Sequence, residues 1–410
     1  MLAGKMRDNT IGNWCKIALF NLTLVALYGV LMRYKIAFDF PLFEQKNLLH
    51  AHSHFAFSGW INHLLYFGLF LIIKDRTDVI KQKKYKLIIA ANLVSAFGML
   101  IFFTRQAYGN ISIVFSTLSI IIALVYAWLF IRDTQTLSSQ LPARAWAVAG
   151  LLLNIVSAVG PLSLGYMMAT KHIQQDIYLA SVYYYLHFQY NGWFFFGLMA
   201  LVIHSLPKID TAFQRYFRWF LMTIIPTFLL SVLWVKLPVW LYSIAVFAAL
   251  AQLIVWLVML AKINCIFGEK RTNVPKPVVL LFYISAIAIT LKFVLQTISV
   301  VPQLSHFVFG MRSIVIAYLH LVLLGGFSLF FIGYMFANKW MYLNKIAKVT
   351  ICLFVIGVIA NEVFLGIQSV ASFFLVLIPY INESLFATAI ILFGGALGMF
   401  LSQILSESQI

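Results

Sequence analysis

Histidines occur inside three apolar segments of this sequence, where an ionisable side chain is costly and by default indicates function. His50, His52 and His54 stand at the start of one segment, His187 lies in a second and His320 lies in a third. Neutral imidazole is the commonest protein ligand for haem iron, copper and zinc. If these segments meet in the fold, their histidines are expected to share a metal or haem site.

The composition indicates which elements must position these histidines. Hydrophobic residues make up 63% of the 410 residues and charged residues only 10%, which is more apolar surface than a soluble domain could bury. Apolar windows of about 17–25 residues predict an all-α polytopic membrane protein, a bundle of twelve membrane-spanning helices that forms one domain over residues 1–410. The predicted spans are 14–33, 51–73, 86–104, 111–131, 145–169, 182–205, 217–235, 238–262, 278–300, 313–337, 348–373 and 385–404.

The basic residues predict the orientation of the chain. Of the 29 lysines and arginines, 21 fall in segments that are cytoplasmic if the N-terminus is inside, which leaves 8 for the outer loops and the spans. This bias predicts both termini on the cytoplasmic side of a bacterial-type inner membrane. It also explains the net charge of +17. The expected partner is the lipid bilayer and not nucleic acid, which would need a basic face on a soluble fold.

This orientation places the histidines at similar depths. The second, sixth and tenth spans enter from the outside, so His187 and His320 lie about five and seven residues deep, at 1.5 Å per residue. His52 and His54 stand about 200° apart around the second span, so only one can face a given partner. Either of them, paired with His320, would give a low-spin haem two axial ligands. His54 is slightly favoured, because His52 could equally orient a propionate or bind copper.

The sequence around two of these histidines resembles subunit I of the haem-copper oxidase and nitric oxide reductase superfamily. The segment Tyr318–Gly325 is similar to the tenth-helix motif, and His187–Trp193 is similar to the sixth-helix motif of the nitric oxide reductase branch. The resemblance implies a low-spin haem b held by His52 or His54 together with His320. It also implies electron transfer or the handling of O2 or nitric oxide, with a redox partner or partner subunits.

The chain departs from that superfamily around the second metal site. The predicted seventh span, 217–235, has no histidine where the superfamily has a His-His pair. Tyr318 replaces the first histidine of the tenth-helix motif, and Asn191 replaces a glutamate of the reductase branch. The resemblance therefore implies an incomplete binuclear site, and it leaves open whether the chain is an active oxidoreductase.

Further polar residues could complete a cofactor site. Arg105 and Arg312 lie near the predicted outer surface, where they could neutralise haem propionates or anchor to lipid headgroups. His187 could bind a metal such as copper together with His50, although its expected partners in the seventh span are missing.

Two other ionisable residues lie well inside predicted spans. Glu362 is the only carboxylate deep within a span, and Lys292 lies well inside the ninth. A proton relay needs an isolated buried acid, and Glu362 fits that role. The alternative is a structural pair between these two residues, or a hydrogen bond from Glu362 to neighbours such as Asn361.

Two other functions are left open by the sequence. His50-Ala51-His52 is similar to the His-rich helix starts of NnrS-type proteins, which implies a haem- and copper-binding protein associated with nitric oxide stress. A proton-coupled transporter would use Glu362 and Lys292 as coupling charges, and it is expected to show discontinuous helices and a repeat. Gly160-Pro161 interrupts the fifth predicted span, but no convincing repeat is visible.

Overall fold

Long helices form at the apolar segments that the sequence predicts to cross the membrane. A computed structural model describes residues 9–38, 40–137, 141–268, 274–301 and 311–407. Eleven helices in these ranges are long and apolar enough to span a membrane, which confirms a multi-pass helical membrane fold. The numbering in chain order includes one further helix, α7 (Thr211–Phe228). The eleven are α1 (Thr10–Ala37), α2 (Gln45–Arg76), α3 (Val79–Gln106), α4 (Asn110–Asp133), α5 (Ala143–Thr170), α6 (Gln175–Ser205), α8 (Val239–Gly268), α9 (Lys276–Ile298), α10 (Arg312–Ala337), α11 (Lys345–Phe373) and α12 (Ile381–Ser406).

The helix α7 departs most from the prediction, and it is not among the eleven. The predicted span 217–235 ends as an α-helix at Phe228 and continues as a short 3-10 helix over Leu229–Val232. Pro226 lies in the last turn of α7. Proline has no N–H to donate, and its ring clashes with the preceding turn, so the regular helix stops early.

Polar side chains fix the start of three helices. Asp78, Asp210 and Asn344 accept hydrogen bonds from backbone N–H groups at the starts of α3, α7 and α11. Such N-caps satisfy donors that the first helical turn leaves free. They extend the helices beyond the apolar windows, so that α3 begins at Val79 and not at residue 86.

Three helices lie at the centre of the bundle. Helices that follow one another in the chain pack together, and α12 returns to pack on α1. In the apolar windows of α2 and α6, 89% and 94% of the residues are buried, against 33% in α1, α4, α8 and α12. In α10, every residue of 325–336 is buried. The helices α2 and α6 and the segment 325–336 of α10 are therefore surrounded by protein.

Each central helix changes its hydrogen-bonding pattern just after its predicted site histidine. π-Helical segments run over Ala56–Asn62 in α2, Phe188–Phe194 in α6 and Leu321–Ser328 in α10. Each begins one or two residues after the last site histidine of its helix. Single widened turns of this kind are rare and are frequent at functional sites. The backbone thus marks the same level in all three helices.

Neighbouring helices supply hydrogen bonds to the π segment of α2. The amide of Asn21, in α1, donates to the Gly59 carbonyl over 2.6 Å. The amide of Asn92, in α3, donates to the Ser58 carbonyl over 2.9 Å. All four residues are buried. Because lipid offers no water to an unpaired carbonyl, these amides make the irregular backbone tolerable within the membrane.

Side chains of the π segments also join the three central helices to one another. The Trp60 indole in α2 donates to the Ser328 hydroxyl in α10 over 2.8 Å. The Trp193 indole in α6 donates to the Asn62 amide oxygen in α2 over 2.6 Å. These buried bonds fix how the three helices are rotated against each other, and hence which way their histidines face.

Replacing Asn92 by alanine is expected to destabilise the protein, because it leaves the Ser58 carbonyl buried without a donor. An orphaned acceptor of this kind costs about 1–3 kcal/mol, which lowers the midpoint of thermal unfolding of the purified protein in detergent. Asn110, exposed at the start of α4, is the matched control. Equal midpoints for Asn92→Ala and Asn110→Ala would contradict this role.

Candidate functional site

The predicted outer half of the bundle is open, while the inner half is close-packed. No residue of Arg312–His320, the outer part of α10, is buried. Residues 24–33 of α1 and 182–186 of α6 are half-buried without exception. Residues that are half-exposed in this way border space that the described residues do not fill. The open region therefore adjoins the level at which the site histidines lie.

His52 and His320 face this space from opposite helices. Their imidazoles are close enough to interact electrostatically. The His52 Nδ1 is 3.1 Å from the Val25 carbonyl oxygen in α1, and the His320 Nδ1 is 2.8 Å from the Ile316 carbonyl oxygen in its own helix. A carbonyl can only accept, so each neutral ring carries its proton on Nδ1 and has its lone pair on Nε2.

The Nε2 atoms of His52 and His320 are available to a ligand. Neither has a hydrogen-bond partner among the described residues, and neither is among the buried polar atoms that lack one. Both atoms are therefore at least partly accessible. A metal-binding histidine usually donates its other ring N–H to a second group such as a backbone carbonyl, which fixes the tautomer and the ring orientation. The geometry thus offers two prepared imidazole donors on facing helices.

His54 and His50 turn the other way, towards α3. The His54 ring stacks on Phe103 at a centroid distance of 4.3 Å, and its Nε2 is 3.3 Å from the Tyr108 hydroxyl. The His50 ring meets the edge of Tyr108 at 4.6 Å, and its Nε2 is buried without a partner. Of the two candidates on α2 for pairing with His320, the structure brings His52 to it.

Arg33 is a site residue that the sequence reasoning missed. It lies in the outer part of α1 and interacts electrostatically with both His52 and His320. Its guanidinium is half-buried, and no ion pair joins it to a described carboxylate. It is one of the few basic residues outside the predicted cytoplasmic segments, and it closes the predicted span 14–33. A basic residue at the end of an apolar window was the feature of the sequence that could have indicated this position.

The two arginines predicted to neutralise propionates lie nearer the surface. Arg105 is exposed in the last turn of α3. Arg312 is exposed at the first residue of α10 and interacts electrostatically with His50. Arg33 is therefore the arginine that the structure places beside His52 and His320.

His187 is engaged on both sides of its ring. Its Nε2 lies 2.8 Å from the Ile224 carbonyl oxygen in α7, so that nitrogen donates. Its Nδ1 lies 3.0 Å from the Asn191 amide nitrogen, so that nitrogen accepts. A neutral imidazole held in this way has no free lone pair for a metal. His187 and His50 contact different neighbours, in α7 and α3 respectively, and a copper ion at these residues stays a prediction.

A chain of polar side chains extends from Lys292 through α9, α8 and α7. The Lys292 ammonium donates to the Gln296 amide oxygen over 2.8 Å, and the Gln296 amide donates to Gln252 over 2.9 Å. The Gln252 amide in turn lies 3.1 Å from the Thr223 hydroxyl and 3.3 Å from that of Thr227. All five side chains are buried. This network occupies the level of His187, with which Lys292 interacts electrostatically.

Glu362 is not paired with Lys292. Its carboxylate accepts a hydrogen bond from the Asn361 amide over 3.1 Å and is half-buried in α11. The structural ion pair considered as an alternative is therefore not formed, whereas the hydrogen bond to Asn361 is. A role for either residue in proton transfer stays a prediction.

Comparisons with known proteins add no assignment. No protein-family model matches this chain, and a search of the curated proteins finds no matching relative. In the described ranges, no group of three or more His, Cys, Asp or Glu side chains is placed to hold a metal ion. Function must therefore be argued from the chemistry of the site itself.

Replacing Gln252 by leucine is expected to destabilise the bundle, because it removes the acceptor of the Gln296 amide and the donor to two threonine hydroxyls. The cost of the buried group left unpaired is about 1–3 kcal/mol, measurable as a lower midpoint of thermal unfolding. Gln106, exposed at the end of α3, is the control for the same substitution. A Gln252→Leu protein as stable as Gln106→Leu would show that the network does not join these helices.

Proposed function

We propose that this protein is a membrane haem protein in which His52 and His320 are the axial ligands of a low-spin haem b between α2 and α10. One observation carries the proposal. Both imidazoles have Nδ1 tied to a backbone carbonyl and an accessible Nε2, the state in which histidine binds haem iron. Bis-histidine ligation would supply reversible one-electron transfer.

The surrounding residues fit such a ligand. The Val25 carbonyl holds the His52 ring in position from α1, and the Ile316 carbonyl holds the His320 ring. No residue of Arg312–His320 is buried, which leaves the His320 ring accessible to a ligand. Arg33 supplies a positive charge without a described anionic partner, which suits the carboxylates of a porphyrin.

Electron transfer, or the handling of O2 or nitric oxide with a redox partner, is the activity we favour. The proposed setting is a bacterial-type inner membrane with both termini in the cytoplasm. The resemblance to subunit I of the oxidase and reductase superfamily supports this class. The fixed hydrogen bonds of His187 and the presence of Tyr318 in place of a histidine speak against a complete second metal site. We therefore favour electron transfer over catalytic reduction.

An absorbance spectrum of the purified, reduced protein tests the haem directly. After expression of the full chain in a haem-replete host, we expect a sharp low-spin b-type band. The His52→Ala and His320→Ala variants are expected to lose most of it, because a low-spin haem needs both axial ligands. His54→Ala is the matched control, two residues from His52 on the same helix, and is expected to keep it.

Three outcomes of that experiment would change the proposal. Loss of the band in His54→Ala with retention in His52→Ala would move the ligand to His54. Retention in His320→Ala would remove α10 from the site. A haem-free protein from a haem-replete host would overturn the proposal and favour the function of a proton-coupled transporter.

Arg33 is expected to set the redox potential of the proposed haem. A nearby positive charge stabilises the reduced form, so Arg33→Gln should lower the midpoint potential. The effect is on the order of 1–2 kcal/mol, or several tens of millivolts for a one-electron couple, in a redox titration followed by absorbance. Arg33→Lys should recover most of the shift, and Arg105→Gln should cause little. An unchanged potential in Arg33→Gln would place Arg33 outside the site.

A further inference from the structure

Lys292 is a buried basic residue without a counter-charge among the described residues. Its side chain lies inside α9 with the residue only 5% exposed. Its ammonium donates to Gln296 and lies 3.8 Å from the centroid of the Phe293 ring, but no described carboxylate pairs with it. An isolated charge in a membrane interior costs several kcal/mol unless it is paired.

The direction of the hydrogen-bond network shows which way its dipoles point. The hydroxyls of Thr223 and Thr227 donate to backbone carbonyls one turn earlier, over 2.6 and 2.9 Å. Those hydroxyls can then only accept from Gln252, which must present its NH2 group to them. The oxygen of Gln252 therefore accepts from Gln296, and the oxygen of Gln296 faces Lys292.

This arrangement favours the charged form of the lysine. Each amide in the chain directs its oxygen towards Lys292 and its hydrogens away, so the negative ends of the dipoles face the ammonium. An ammonium has three N–H donors, and the described residues accept only one of them. The nearby His187 cannot help, because its Nε2 already donates to the Ile224 carbonyl. Lys292 thus has donors to spare, and a negative charge beside it would stabilise its protonated form.

We propose that Lys292 is the centre of a binding site for a small monovalent inorganic anion, such as chloride, nitrite or nitrate. A single lysine that is protonated when the anion binds matches a single negative charge. The rings of Phe195, Phe220 and Trp256 lie within 6 Å of the Phe293 ring centroid, so the site favours an anion that gives up its water easily. The half-buried residues 182–186 of α6 lead from the outer side towards this level.

Anion-dependent thermal stability of the full chain in detergent tests the site. The unfolding midpoint is measured against sodium chloride, nitrite or nitrate at an ionic strength held constant with sodium gluconate. A ligand that binds only the folded state raises the midpoint as its concentration passes Kd. We expect a saturable rise in the unmodified protein and none in Lys292→Met. Lys276→Met, at the exposed inner end of the same helix, should respond like the unmodified protein.

A second comparison separates binding from a general effect of salt. In gluconate alone, Lys292→Met is expected to unfold at a higher temperature than the unmodified protein, because it removes a buried amine with unused donors. With saturating anion, the difference between the two midpoints should shrink or change sign. A midpoint of the unmodified protein that does not respond to any of the three anions would overturn the proposal. So would an equal rise in Lys292→Met. If Lys292→Met does not fold, the anion dependence of the unfolding midpoint is compared between the unmodified protein and Lys292→Gln, which should show no rise.

The anion site is independent of the proposed haem. Lys292 contacts neither His52 nor His320, and the measurement needs no redox change. A haem-free protein with a saturable anion response would keep this inference while ending the haem proposal. A low-spin haem without an anion response would keep the haem proposal and end the inference of an anion site.

Discussion

Every backbone carbonyl within lipid must find a donor inside the protein, and this requirement governs the centre of the bundle. The π segments leave the regular helical pattern, and in α2 and α10 side chains from surrounding helices donate to their carbonyls. Asn21 and Asn92 do so in α2, and Ser285 of α9 donates to the Gly326 carbonyl of α10 over 2.7 Å. Within the described residues, the π segments are confined to the three central helices. The site histidines lie at the N-terminal edge of these segments.

Histidine has two different roles at neighbouring positions in the bundle. In His52 and His320, one nitrogen bonds to a backbone carbonyl and the other is free, which prepares the ring to donate a lone pair. In His187, a carbonyl and the Asn191 amide occupy both nitrogens, which makes the ring a fixed link between α6 and α7. The partner of the second nitrogen, and not burial in the membrane, therefore separates a potential ligand from a structural residue.

Hydropathy predicted the helices well because apolar length alone decides whether a segment can span lipid. It failed at α7, where Pro226 ends the regular helix before residue 235. The pairing of His52 with His320 was not predictable from helical phase, because the π segments and their interhelical bonds fix the rotation of α2, and these depend on residues far away in sequence, such as Trp60 and Ser328. The position of Arg33 beside these histidines was not predictable for a related reason, because it depends on what α1 faces and not on its local sequence.

The contrast between the two halves of the bundle has a consequence for the effect of substitutions. Inner residues such as 325–336 of α10 pack fully against their neighbours, and the indole bonds of Trp60 and Trp193 join the three central helices at mid-depth. None of these contacts involves the loosely packed segments around His52 and His320. Substitutions in those segments are therefore expected to leave the association of the three central helices intact.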